Sequence, residues 1–326
     1  MRSPMSDQIT SAVLQNDITK ITVLSMGCSI QDWQVNGRHV VLGYSDPEMY
    51  RSNPCVLGSI VGRIANRTAG AAFEFDNALW TLPANEGPNH IHGGPGGLAW
   101  RNWDLVQHDD TSATLTLHSA HLDQGYPGAV DFSVHLTLRG GALTWDMTGT
   151  PDRETPLNLA QHVYFNLAGA GDVLNHSVQI DAEKVTPTDV DLIPTGQFLE
   201  TKNSRFDFQK PIRIAKQDPE NRGYDLNFVL NKSSDPQAIV TSPDGTKLRL
   251  WTDQPGLQFY SSQHLTPLGA KNAGASHHPN CGFCVEAQKF PNAINQPAFG
   301  SILCTPDSPY RQTTTIEIQE SSRNNP

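Results

Sequence analysis

The sequence predicts an all-β chain, a large β-sandwich with very little helix. Three observations carry this reading. Strand-type alternation recurs along the 326 residues with almost no helical period. The 26 glycines and 23 prolines are spread over the whole length, a density of breakers that suits many short strands and turns. No composition break and no internal repeat divides the chain. Residues 1–326 are therefore expected to form one domain, with about 1–20 and 321–326 peripheral. The alternative is two β-domains split in the polar region near 200–223.

Taken in order, residues 1–20 are mostly polar and supply an edge strand. Ile21–Met26 reads as a strand. Cys28–Val35 and Gly37–Gly43 form a hairpin around Asn36-Gly37, a strong turn pair. Ser45-Asp-Pro-Glu48 has the spacing of a helix capping box, which predicts a short helix over 46–52. Phe73–Phe75 and Leu79–Leu82 alternate about Asp76-Asn77 as a second hairpin. A Gly/Pro-rich loop covers Asn85–Gly97. Ala113–His118, Val130–Leu138 and Ala142–Gly149 follow as strands, the last two joined at Arg139-Gly-Gly141. Leu157–Leu167 reads as extended, Ser177–Asp181 as a short strand and Val185–Gln197 as a Thr/Pro/Asp loop. Residues 198–223 carry no clear pattern. Ala238–Thr241 and Thr246–Thr252 pair across Ser242-Pro-Asp-Gly245. Leu257–Ser261, the stretch from Cys281 and Thr313–Ile318 complete the set.

The formal charge is −10, and lysines and arginines form no cluster. This excludes nucleic acid and an anionic membrane as main partners and favours a neutral substrate. No apolar run approaches a membrane span. The first residues lack the apolar centre of a secretion signal. Five cysteines (28, 55, 281, 284 and 304) are too few and too odd in number for a disulfide framework. The expected setting is reducing and cytoplasmic. Cys281 and Cys284 form a single Cys-x-x-Cys without a second pair, which reads as two semi-buried strand cysteines rather than zinc ligands.

Few residues carry chemistry. In the strand that opens at Cys281, Phe283 and Val285 share one face, while Cys284, Glu286 and Gln288 share the other. A mid-strand carboxylate is a poor sheet former unless it looks into water or a polar pocket. Glu286 stands just before the turning run Pro291–Pro297, which could wall a cleft. Its bland reading is a solvated strand glutamate. In Asn89-His-Ile-His-Gly-Gly94, His90 and His92 point the same way if the segment is extended, as metal ligands do, or one enters a pocket and the other stays on its rim. His162 lies among apolar residues, where a lone histidine is ordinarily a satisfied core group. Arg63 and Arg67 read as surface ion-pair partners, Asp225 as a turn aspartate and Gln258 as an ordinary strand glutamine.

These stretches gain weight by occurring together and in order. Gly62-Arg-Ile-Ala-Asn-Arg67, Asn89–Gly94, His162-Val-Tyr-Phe-Asn-Leu167, Ile193–Gly196, Gly223-Tyr-Asp225, Gln258-Phe-Tyr260 and Gly282–Pro297 resemble the aldose 1-epimerase (galactose mutarotase) family. The resemblance runs from about residue 20 to the C-terminus. It implies a mutarotase-type supersandwich whose open cleft interconverts the α and β anomers of a free sugar without a cofactor or metal. It assigns Glu286 as general base and His162 as general acid. It places Asp225 and His92 on sugar hydroxyls or the ring oxygen, and Asn66, Arg67 and Gln258 on further substrate contacts. Arg63 matches the motif, less securely as a ligand. Gln161, Val163 and Leu226 depart from the family pattern and bear on which sugar is preferred. The implied partner is a monosaccharide (glucose, galactose or a pentose), bound by a monomer or homodimer.

The chemistry fits these residue types. Mutarotation removes a proton from the anomeric hydroxyl and gives one to the ring oxygen, so one base and one acid suffice. Ordinary values of about 4.3 for Glu and about 6.5 for His leave a window near pH 5–6 with Glu286 ionised and His162 protonated. Asp225 near His162 is expected to widen it upward. Rival readings are a non-catalytic carbohydrate-binding β-sandwich, a hexose-phosphate epimerase of the same fold, and a metal-dependent barrel enzyme using His90, His92 and His277-His278.

Overall fold

A computed structural model describes residues 8–266 and 277–321. Three sheets build most of it. A nine-stranded antiparallel sheet runs in the order Asp104–Asp109, Ser112–Ser119, Val130–Arg139, Ala142–Pro151, Tyr310–Gln319, Lys247–Thr252, Ala238–Thr241, Ser177–Ile180 and Ile212–Arg213. A four-stranded sheet follows chain order from Ser11–Gln15 through Thr19–Leu24 and Ser29–Val35 to Arg38–His39. A five-stranded sheet orders Leu199–Glu200, Ala182–Thr186, Asp225–Leu230, Gly256–Tyr260 and Cys284–Gln288.

Alternation sets which face of each strand is inside. In Val130–Arg139, the residues Val130, Phe132, Val134, Leu136 and Leu138 are buried and their neighbours are not. One apolar core takes side chains from all three sheets, among them Trp33, Trp145 and Phe259. Trp33 tilts against Trp145 with ring centroids 6.2 Å apart, which ties the four-stranded sheet to the nine-stranded one. Face-to-face packing of extended sheets over a shared core is the sandwich that the alternation predicts. Helix is confined to the short α-helix Ile214–Gln217 and a few 3₁₀ turns among the described residues.

The hairpins fall where turn chemistry puts them. Asn36 and Gly37 have φ of 47° and 81°, and Asp76 and Asn77 have φ of 51° and 56°. These left-handed pairs match the right-handed twist of the flanking strands. The edge strand expected from the N-terminal region is Ser11–Gln15.

Several expectations need correction. The turn at 46–52 is the 3₁₀ segment Pro47–Arg51, capped by Asp46 rather than Ser45, because the Asp46 carboxylate accepts the Glu48 N–H at 3.0 Å. Ala182–Thr186 is a strand where a loop was expected to begin at Val185. Asp104–Asp109 is an additional edge strand, too exposed to show alternation. Asp225 is not a turn residue: it opens the strand Asp225–Leu230, which is covered on both faces and so has little period-two contrast. Leu157–Leu167 contributes the two-residue strand Ala160–Gln161 and single bridges from Asn158 to Ile64 and from Phe165 to Val41 and Phe283. Across the segment 200–223, Ala182–Thr186 pairs with Asp225–Leu230.

Candidate active site

The five-stranded sheet fixes one wall of a cleft of about 730 Å³. In Cys284–Gln288, Glu286 lies directly opposite Gln258 of the neighbouring strand, and Gln258 lies opposite Asn227 of the next. Asp225 is two residues before Asn227, so its carboxylate rises from the same sheet face. Gln258 Nε2 donates to Asp225 Oδ1 at 2.6 Å. Gln258 therefore lies between Glu286 and Asp225 on this sheet face and holds Asp225 in place.

The opposite wall comes from the ribbon that pairs Arg67–Thr68 with His90–Ile91. The chain turns sharply just beyond it. His92 has φ of 52° and Gly93 has φ of 84°, and a Cβ on Gly93 would meet the Gly62 carbonyl oxygen at 1.7 Å. Only glycine fits there. The turn ends the extended geometry and separates the two histidines. His90 points into the protein, donating from Nδ1 to the Pro83 carbonyl at 2.8 Å and accepting at Nε2 from the Tyr126 hydroxyl at 2.7 Å. His92 points into the cleft, and its Nδ1 accepts the Asn66 N–H at 3.2 Å. The paired-ligand arrangement of the metal-enzyme reading does not form, because each ring is committed to a different side. Of the other pair in that reading, His277 packs edge-on against Tyr44.

Arg67 is the cation of the site. Its Nε and Nη2 donate to the two Glu86 carboxylate oxygens at 2.6 and 2.7 Å, and its Nη1 stands 3.4 Å from Asp225 Oδ2. Burial alone pulls an arginine down, but these two carboxylates outweigh it and hold Arg67 above its ordinary value. Asn66, in the left-handed region at φ of 63°, accepts the Arg67 N–H with its own side chain at 2.8 Å.

His162 sits at the base of the cleft on a backbone clamped from both sides: its N–H donates to the Ser59 carbonyl, and its carbonyl accepts from Gly58. The ring stacks on Tyr164, centroids 5.0 Å apart, and meets His92 edge-on at 5.2 Å. Nε2 lies 3.6 Å from Glu286 Oε1, and Nδ1 lies 3.6 Å from Cys284 Sγ. Both side chains are almost wholly enclosed, His162 at 6% exposure and Glu286 at 2%.

That enclosure reverses the expected order of protonation. Burial pulls His162 down to about 4, and the favourable Asp225 carboxylate does not offset it. Burial pushes Glu286 well above the usual carboxylate range; Asp225 adds to this and Arg67 opposes it. The window near pH 5–6 inferred from ordinary values is therefore not the one the site provides. Burial thus favours a proton on Glu286 over one on His162.

The structure thus gathers Glu286, His162, Asn66, Arg67, His92 and Asp225 around one cleft. Arg63 lies elsewhere: its guanidinium donates to Ser119, Pro127, Gly128 and Ala120, a structural clamp with no donor left for a ligand. Gln161, Val163 and Leu226 are buried and do not line the cleft. Gln161 holds the Val285 carbonyl and the Val163 N–H. Sequence reasoning missed Glu86, Tyr164, Tyr260, Trp100, Cys55 and His264 as wall residues. Tyr164 had a signal, since it follows His162 by two positions in the motif. Glu86 had none, because nothing local links it to Arg67. A second cavity of about 830 Å³ borders Glu183, Lys202 and Asp207 and contains none of these groups.

A β-supersandwich with a buried carboxylate–imidazole pair at the base of an open polar cleft is the architecture of an acid–base isomerase. The aldose 1-epimerase family model matches residues 10–317. Human galactose mutarotase is 35% identical over 318 residues, covering 94% of this chain and 92% of that protein. The Escherichia coli aldose 1-epimerase is 32% identical over 312 residues, covering 91% and 89%. Among solved structures, a galactose 1-epimerase from Lactobacillus acidophilus superposes with a TM-score of 0.87 at 27% identity, covering 98% of this chain and 97% of that one. An aldose epimerase homologue from C. elegans reaches 0.92 at 24% identity, covering 97% and 100%, and speaks to the fold. The chain belongs to the aldose 1-epimerase family.

Proposed function

We propose that the chain interconverts the α and β anomers of a free aldose, with Glu286 as base and His162 as acid. One observation supports pairing these two groups. The anomeric hydroxyl and the ring oxygen are bonded to the same carbon, so acid and base must stand side by side. Glu286 Oε1 and His162 Nε2 do so at 3.6 Å, where the cleft ends.

The protonation state gives the cycle its symmetry. Ring opening needs ionised Glu286 and protonated His162. It leaves protonated Glu286 and neutral His162, the distribution that burial favours. Ring closure on either face of the aldehyde then runs the two transfers backwards. Both states hold one proton between the two side chains, so no proton need enter from solvent during a turnover. The Arg67 charge, which lowers Glu286, favours the state that opens the ring. Asp225, Asn66 and His92 are placed to take sugar hydroxyls, and Trp100 and Tyr260 offer ring faces to the apolar side of the sugar.

The cleft argues against a sugar phosphate. Arg67 is its one Lys or Arg among the described lining residues, and Glu86 and Asp225 already engage it. A neutral monosaccharide fits that balance. Among the described residues no helix is long and apolar enough to cross a membrane. All five cysteines are free thiols, which supports the reducing, cytoplasmic setting. Polarimetry of fresh α-glucose, α-galactose, xylose and arabinose tests the proposal. Faster equilibration of at least one sugar, undiminished by a chelator, is expected. No acceleration of any of them, with binding retained, would favour a silent sugar-binding sandwich.

A further inference from the structure

We infer that the base of this cleft is also a binding site for a thiophilic divalent cation of the zinc class, which competes with the sugar. The inference rests on the site just proposed and adds a ligand to it. His162, Cys284 and Glu286 bring one nitrogen, one sulfur and one oxygen donor within 4.8 Å of one another, and all three residues are buried. Two of the three come from alternate positions of one rigid strand, and the third from a backbone pinned at both its N–H and its carbonyl.

The spacing suits tetrahedral zinc. Bond lengths of about 2.3 Å to sulfur and about 2.1 Å to nitrogen put the two donors about 3.6 Å apart. Cys284 Sγ and His162 Nδ1 stand at 3.6 Å. Glu286 Oε1 lies 3.6 Å from the other ring nitrogen, Nε2, so its carboxylate has to swing toward the Nδ1 side to complete the set; its Oε2 is buried without a hydrogen-bond partner. The fourth position falls toward the cleft, which His162 and Glu286 both line. The donor set also decides the metal. A thiolate beside an imidazole selects zinc-like ions, whereas magnesium and calcium take oxygen ligands. Binding exchanges the Cys284 S–H proton, and any proton on Glu286, for bonds to the cation; His162 binds as neutral imidazole. The metal would then tie up the Glu286 carboxylate that mutarotation needs and fix the His162 ring beside it, so its effect is inhibitory.

Zinc is added to chelator-treated protein during polarimetry. Micromolar zinc is expected to raise KM without changing kcat, with recovery on adding chelator, and magnesium is expected to do nothing. Cys284→Ser and Cys284→Ala should each need at least tenfold more zinc for half inhibition, while Cys281→Ser responds like the wild type. Cobalt(II) supplies a readout that needs no activity. It should give a thiolate-to-cobalt charge-transfer absorption in the wild type and in Cys281→Ser, lost in both Cys284 variants and displaced by sugar. Equal zinc sensitivity with and without Cys284, or no thiolate band with cobalt, overturns the inference. A thiolate band in a protein that moves no anomer equilibrium would keep the metal site and reject the proposed activity instead. If both Cys284 variants fail to fold, the wild-type cobalt band and its displacement by sugar decide the matter.

Discussion

Arg67 and Glu86 form a two-toothed ion pair at the mouth of the cleft, with both carboxylate oxygens taken at 2.6 and 2.7 Å. The pair leaves Arg67 Nη1 facing Asp225. A planar guanidinium held at two points has little freedom to swing. Glu86 therefore positions the cation that faces both Asp225 and the incoming sugar.

Glu86→Gln keeps the length of the side chain but can accept only one of the two hydrogen bonds. Glu86 is about one-third exposed, so the loss is expected to be modest. KM for the sugar should rise several-fold with kcat within about threefold of the wild type, roughly 1 kcal/mol of positioning. Initial rates over a range of sugar concentration test this. A large fall in kcat at unchanged KM would show that Glu86 acts in the chemical step.

Folding stability should depend on pH in opposite senses through Glu286 and His162. Glu286 ionises near its ordinary value when unfolded and well above it when folded. Between those values the folded state binds more protons, so stability falls as pH rises. His162 binds a proton near 6.5 when unfolded and only near 4 when folded, so its contribution falls as pH drops from about 6.5 toward 4. Glu286→Gln removes the first effect. Its Tm relative to the wild type should be higher at pH 8 than at pH 4, measured by scanning calorimetry. A pH-independent difference between the two proteins would contradict the assigned burial cost.

His162→Asn should fold, since the clamp on this residue uses its backbone. Turnover should fall by about 10²–10⁴-fold, the usual contribution of a general acid–base group. Circular dichroism and polarimetry on one preparation separate the outcomes. Unfolding would mark His162 as a core residue, and a near-normal rate would move the acid elsewhere.

What the sequence disclosed follows physical range. Turns such as Asn36-Gly37 and Asp76-Asn77 are specified by adjacent residues, so hairpins were legible to within a residue or two. The pairing of Ala142–Pro151 with Tyr310–Gln319 joins segments far apart in sequence, and no local pattern announces it. Asp225 was misread because Asp225–Leu230 buries both faces and loses its alternation. Glu286 and His162 were singled out through the family motifs; which of them burial leaves the more readily protonated was not legible, because it depends on enclosure. That Gln258 braces Asp225 was not legible, because it needs the register with Glu286 to see.

The central claim is that Glu286 takes the anomeric proton. Glu286→Gln keeps shape and reach but cannot accept that proton. Sugar affinity by calorimetry should change by less than about tenfold, while polarimetric turnover falls by about 10²–10⁴-fold, the pattern of a group whose contribution is made in the transition state. Loss of affinity equal to the loss of rate would show that Glu286 only holds the sugar, and an unchanged rate would remove it from the mechanism.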